Sequence, residues 1–184
     1  MSVKIRGAVF TLMWMFLIPL LGSAIAQSID TQKKILVFSK TAEFRHSSIG
    51  AGKIALMKLG KENGFEVDTT ENSALFTEKN LQKYSAIVFL NTTGDILSNT
   101  QQMAFERYIQ AGGGWVGIHA ATDTEYKWQW YNKLAGAYFN GHPSNPNVQQ
   151  GDVHLVDGNH ISTKEFPKTW KVKDEFYDFK DFNK

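Results

Sequence analysis

The 184-residue chain reads as an α/β protein with a parallel sheet and helices on both faces. Three observations predict this. Short, continuously apolar runs rich in β-branched and aromatic residues alternate with segments of helical period, as expected of strands buried on both faces. The resulting order, β-α-β-α-β-α-β, closes into a parallel sheet through right-handed crossovers. Glycine falls at the joints, where Asn63-Gly64 and Gly112-Gly113-Gly114 stop helices.

Lys33 to Ser39 (KKILVFS) is the first strand. A polar loop from Lys40 to Ser48 follows, and Ser48 can cap the next helix. Ile49, Gly52, Leu56, Leu59 and Gly60 recur on one face of that helix. Phe65 to Thr70 alternates, which suits an outer strand. Thr77 can cap a short helix through Leu81, and Ser85 to Leu90 (SAIVFL) is another buried strand. Ser98 and Gln101 make a capping box, and Ala104, Phe105, Tyr108, Ile109 and Gly112 mark one face of the helix behind it. Trp115 to Ile118 is the fourth strand. Beyond Asp123 the regularity weakens. A helix runs from about Tyr126 through Leu134. A loop spans Gly141 to Asn147, an antiparallel strand spans Val148 to Val156, and Asp174 to Phe179 begins one more.

The first 26 residues have the pattern of a secretory signal peptide. Lys4 and Arg6 precede an apolar run of 14 residues, Ala8 to Leu21, and Ala24-Ile25-Ala26 forms a small-x-small cleavage site. The run is shorter than the roughly 20 residues of a spanning helix, and Pro19 interrupts it. The expectation is a periplasmic or secreted protein with no membrane anchor after cleavage, in which residues 27–184 form one domain. Removing Lys4 and Arg6 from 20 basic residues leaves 18, matched by 18 acidic ones. A neutral chain argues against nucleic acid as a partner. The sequence has no cysteine, which excludes disulfides, thiolate nucleophiles and cysteine-held metal.

Ligands of open α/β sheets bind beyond the carboxyl ends of the strands, near the point where strand order reverses. Three such ends carry polar groups. The first leads to Arg45 and His46, the third to Asn91, Thr92, Thr93 and Asp95, and the fourth to His119, Thr122 and Asp123. In a flavodoxin-like strand order these loops are neighbours at one rim. Gly117-Ile118-His119-Ala120-Ala121 has the small residues that a tight strand-to-helix elbow needs, with His at the exposed centre. Asp123 can cap the next helix or orient His119. His46 and His142 lie in loops, where functional side chains concentrate, whereas His154 and His160 read as surface residues. No tight metal-ligand spacing appears. A divalent metal site would have to be assembled from distant groups such as His46, His119 and Glu175. Trp128, Trp130 and Tyr131 are either core or a platform for a sugar ring. Gly112 to Gly114 precede a strand rather than a helix, so there is no dinucleotide loop.

Together, Phe44-Arg45-His46, Phe105 to Tyr108 followed by Ala111-Gly112-Gly113-Gly114, Gly117-Ile118-His119-Ala120, Gly141-His142-Pro143 and Asp174-Glu175-x-Tyr177 resemble the ThuA-like (trehalose utilisation) domain. The resemblance covers about Lys33 to Phe179. It implies a flavodoxin-like, class I glutamine amidotransferase-like fold, with His119 standing where amidotransferases carry a catalytic Cys. It also implies a role in carbohydrate use and association with sugar-dehydrogenase or cytochrome modules. Domains of this family continue well past the Asp-Glu-x-Tyr segment, whereas this chain ends seven residues after Tyr177, so the C-terminal part is expected to be incomplete.

The leading expectation is acid/base chemistry on a carbohydrate, trehalose or an oxidised sugar, with His119, His46, Asp123 and Glu175 as the catalytic group. Arg45, Asn91, Thr92, Thr93, Asp95, Thr122, Trp128 and His142 are the expected substrate contacts. Two alternatives are a non-catalytic sugar-binding module and a metal-dependent hydrolase.

Overall fold

The computed structural model describes residues 33–183, so the expected signal peptide lies outside the described residues. Four parallel strands, β1 (Lys34–Phe38), β2 (Glu66–Thr70), β3 (Ala86–Leu90) and β4 (Gly114–Ile118), form a sheet in the order β2-β1-β3-β4. This agrees with the expected flavodoxin-like order, with the alternating strand β2 on the outside. The register sets Phe38 beside Phe89 and Phe89 beside Gly117. The first, third and fourth strands therefore end at one level, and their loops leave the sheet together.

Successive side chains of a strand point to opposite faces, and each face has its own cover. Leu36, Phe38, Ile87 and Phe89 point into the main core. There they meet Leu81 of α2 (Glu78–Leu81), Phe105 and Tyr108 of α3 (Asn99–Gln110) and Tyr131 of α4 (Gln129–Ala135). Phe89 lies between the stacked rings of Phe105 and Tyr131, at 5.3 and 5.8 Å. Val37, Val88 and Leu90 point the other way, toward α1 (Ile49–Asn63) and its Leu56. This cover is thinner. Leu59, expected on the inward face of α1, is exposed, and Val116 of β4 is 49% exposed. Helices thus lie on both faces, but among the described residues the α1 face over β4 is bare.

Local signals are realised in part. Thr77 and Ser98 cap α2 and α3, the latter in a full capping box. Ser48 makes no cap hydrogen bond; its hydroxyl instead accepts from Asn91 Nδ2 at 3.0 Å. The triple glycine has a packing cause, because a Cβ on Gly113 would run into the Tyr108 ring.

Beyond α4 the chain builds two antiparallel ribbons. β5 (Tyr138–Gly141) pairs with β8 (Asp178–Lys180), and β6 (Gln149–His154) pairs with β7 (Thr169–Asp174). The strand expected to begin within Asp174 to Phe179 is interrupted. β7 ends at Asp174 and β8 starts at Asp178, which leaves Glu175 to Tyr177 free to turn toward the sheet's rim. Among the described residues no helix is long and apolar enough to cross a membrane.

Candidate functional site

β4 ends at Ile118 and the chain turns at once into a single 3-10 turn, His119–Thr122, rather than a full helix. His119 sits at φ 52°, a left-handed conformation that costs a non-glycine residue about 1–2 kcal/mol. Small neighbours make the turn feasible. A Cβ on Gly117 would lie 2.6 Å from the Trp115 ring and 3.1 Å from Ala121 Cβ. The elbow is therefore present in the backbone, with its strain at the residue expected to do chemistry.

The three strand-end loops are stitched side by side. Thr41 bridges Thr93 and Gly94 bridges Thr124, both in parallel. The Ala42 N–H donates to Thr93 O and the Gly94 N–H to Asp123 O, each at 2.8 Å. The Thr93 hydroxyl donates to Phe44 O at 2.9 Å, so it holds the loop that carries His46. Glu125 buckles the same rim from below. Its buried carboxylate accepts from the Ile96 and Leu97 N–H groups and from Gln102 Nε2 at 2.7–2.9 Å.

From the opposite side, the turn between β7 and β8 brings Glu175 and Tyr177 to His119. The Tyr177 hydroxyl lies 2.8 Å from His119 Nε2, and Glu175 Oε2 lies 3.3 Å from the same nitrogen. His46 meets His119 edge to face, with ring centroids 4.7 Å apart, and Phe44 packs edge-on against His46. His142 stacks on Tyr177 at 5.9 Å. Asn147 Nδ2 donates to Glu175 Oε1 at 2.9 Å. Phe44, His46, Asp123, Phe139, His142, Asn147, Glu175 and Tyr177 line a cavity of about 240 Å³; His119 does not line it but contacts His46, Glu175 and Tyr177, which do.

The charges in this cavity are tuned by burial. Burial lowers the His46 pKa from 6.5, assisted by His119 and opposed by the carboxylates of Glu175 and Asp123. Burial raises that of Asp123, against the hydrogen bond it receives from the Tyr126 hydroxyl. Burial and then the charge of Glu175 push the Tyr177 hydroxyl upward, so it stays protonated. The result is a neutral imidazole, a carboxyl shifted toward neutrality and a positioned histidine around one small space, which suits proton exchange.

Of the expected site residues, His46, His119, Asp123, Glu175 and His142 meet here. Asp123 neither caps α4 nor bonds His119; the carboxylate beside His119 is Glu175. Thr93 and Thr122 support the loops, Thr122 through a 3.4 Å hydrogen bond to His119 O. The other expected contacts lie elsewhere. Arg45 points outward into a bidentate pair with Glu71. Asn91 and Thr92 are buried, bonded to Ser48 and Thr124. Asp95 pairs with Lys127 at the surface. Trp128 is core, stacked on Trp130 and Tyr131 with its Nε1 donating to Glu106, so it offers no platform. His154 and His160 are exposed on the later segment.

Tyr177, Asn147, Phe44 and Phe139 were missed as site residues. A usable signal existed for the first, because Glu175 and Tyr177 are two apart in an extended stretch and so share a face. A larger groove, about 480 Å³, lies at the amino ends of β3 and β4. Its Arg107 and Glu78 are closed on each other, and no histidine or strained residue faces it.

Two solved structures share this architecture. A ThuA-like protein from Bacteroides uniformis superposes with a TM-score of 0.68 at 26% identity, over 82% of this chain and 62% of that one. A ThuA-like protein from Parabacteroides merdae gives 0.64 at 20% identity, over 80% of this chain and 63% of its own, and so speaks for the fold alone. The chain thus spans less than two thirds of the length of either. No curated protein matches. The fold is the class I glutamine amidotransferase-like arrangement, and the family model described as ThuA, trehalose utilisation, matches residues 34–184. This chain belongs to the ThuA family.

Proposed function

We propose that this is an exported ThuA domain acting on a carbohydrate, trehalose or an oxidised sugar, by proton transfer in the cavity that His46, Asp123, Glu175 and Tyr177 line beside His119. The observation that carries the reading is the bracketing of a strained histidine by Glu175 and Tyr177, which together with His46 and Asp123 line one cavity beside it. In this reading the His119–Glu175 pair holds the proton at the reacting oxygen or carbon. His46 supplies an uncharged imidazole, and Asp123 is a second carboxyl of raised proton affinity. The faces of Phe44, Phe139 and His142 suit a sugar ring. A space of about 240 Å³ takes one such ring, with the rest of the molecule outside. Export rests on the pattern of Lys4, Arg6, Ala8 to Leu21 and Ala24 to Ala26. Sugar-dehydrogenase or cytochrome modules are the proposed partners.

A panel of keto-sugars and disaccharides, trehalose included, tests the reading on the purified protein and its variants. His119→Ala is expected to lower turnover about 10²–10⁴-fold with binding retained. Sugar binding that survives both His46→Ala and His119→Ala, with no turnover of any compound by the wild type, would overturn the enzymatic role in favour of a binding module.

A further inference from the structure

We infer that His46, His119 and Glu175 form a binding site for one divalent first-row transition ion. One nitrogen of each imidazole and one carboxylate oxygen lie within 4.8 Å of one another. The His119 Nε2 to Glu175 Oε2 separation is 3.3 Å. Two ligands held about 2.0–2.2 Å from one ion stand about 3.0–3.6 Å apart, so this pair already has the spacing of adjacent ligands. The His46 nitrogen is within 4.8 Å of the other two ligand atoms, so a shortening of at most about 1–2 Å brings it to the same spacing.

The surroundings of each ligand fit the same reading. Asn147 holds Glu175 Oε1 and leaves Oε2 directed at His119. Such an outer hydrogen bond fixes a ligating carboxylate. His119 is pinned by the elbow, and the loop of His46 is tied down through Thr93. His46 Nδ1 is buried with no hydrogen-bond partner among the described residues, and its ring is placed by packing on Phe44 and His119. The three ligands thus come from three separately anchored segments, which is why no tight ligand spacing shows in the sequence.

The donor set selects the ion. Two imidazoles and one carboxylate favour zinc, iron or manganese over calcium and magnesium, which prefer all-oxygen shells. A cation at this site would sit between Nε2 and the carboxylate, beside the Tyr177 hydroxyl that lies 2.8 Å from the same nitrogen. Three protein ligands leave further positions open, as in catalytic rather than structural sites. His46 and Glu175 both line the cavity, so those positions belong to the space where a sugar oxygen would sit. The inference rests on the proposed function for that sugar alone; ion binding stands without it.

The test is calorimetric titration of chelator-stripped protein with Zn²⁺, Mn²⁺ and Mg²⁺. One transition ion per chain is expected, bound at least about 100-fold more tightly than Mg²⁺. Glu175→Gln and His46→Ala should each weaken binding about 100-fold or more, and Asn147→Ala about 10-fold. His154→Ala, on exposed β6, should change nothing. Thermal melts confirm that each variant is folded. Absence of saturable binding by the wild type, or binding that survives both Glu175→Gln and His46→Ala, overturns the site. A bound ion without turnover across the sugar panel supports the site and removes the proposed function. Turnover by stripped protein that binds no ion removes the site and keeps the function.

Discussion

The parallel sheet and the ribbons that follow it are held by different means. In the sheet, Leu36, Phe38, Ile87 and Phe89 are fully enclosed, and the rings of Phe76, Phe105 and Tyr131 close around them. The β5–β8 ribbon joins that core through Tyr138 alone among the described residues, and the β6–β7 ribbon has one half-buried face. Trp170 of β7 is half-buried and stacks on Phe166, and Val156 and Ile161 stand in solvent. The site spans both regions. The sheet's rim supplies His46, Asp123 and the strained His119, whereas the ribbon side supplies Glu175, Tyr177 and His142. Strain persists only where surrounding structure overdetermines it, so the strained member belongs on the rigid side. Groups that must close on a ligand belong on the side with fewer buried contacts and lower local stability.

The largest effect that can break this comparison is in the core. Phe89→Ala removes a ring stacked on both sides and should cost about 3–5 kcal/mol in urea denaturation. Trp170→Ala removes a ring of comparable size from the ribbon and should cost about 1 kcal/mol, because little collapses around it. Equal losses would mean that the ribbons share the core's cooperativity, and the division would fall.

Tyr177→Phe tests the seam. It deletes the hydroxyl beside His119 Nε2 and keeps the ring against Phe139, at a cost of about 1 kcal/mol. Hydrogen exchange should rise in β8 and the turn before it, with β1 and β3 unchanged. A rise of equal size in β3 would show that sheet and ribbons open as one unit.

The same division governs what the sequence discloses. β1, β3 and β4, the capping box at Ser98 and the elbow at His119 are set by neighbours in the chain, so composition and period reveal them. The site's location followed from the loops after these strands. Its membership followed only in part: Glu175 enters through the family resemblance, whereas the contact of Tyr177 with His119, from more than fifty residues away, is set by no neighbour in the chain. Arg45 reads as a substrate contact because its partner Glu71 lies 26 positions on. Trp128 shows a further limit: a buried tryptophan and a sugar platform have the same residue type, and only the packing of Trp130 and Tyr131 on its faces separates them. Glu125 gave no signal at all, since its donors are two backbone groups of a distant loop and the side chain of Gln102 on α3.

The smallest predicted effect sharpens the sheet side of the comparison. Glu71 follows β2 and bonds both Arg45, in the loop that carries His46, and Lys53 of α1. These partners, Arg45 first, hold its carboxyl down from 4.5 to about 2. The folded value lies below the unfolded one, so the cluster stabilises the folded chain above about pH 4.5 and loses that contribution as pH falls toward 2. The side chains of Glu71 and Arg45 are 40% and 52% exposed, so water and salt screen the pairing. The stabilisation is then about 0.5–1 kcal/mol rather than the figure the shift alone would suggest. Glu71→Gln should therefore destabilise by about that much at neutral pH and low salt in urea denaturation. The gap from wild type should narrow both in high salt and as the pH approaches about 3. A gap that persists under both conditions would assign the loop's anchoring to the Thr93 hydrogen bonds rather than to charge. The rim would then be held by its buried side alone, as the rest of the sheet is.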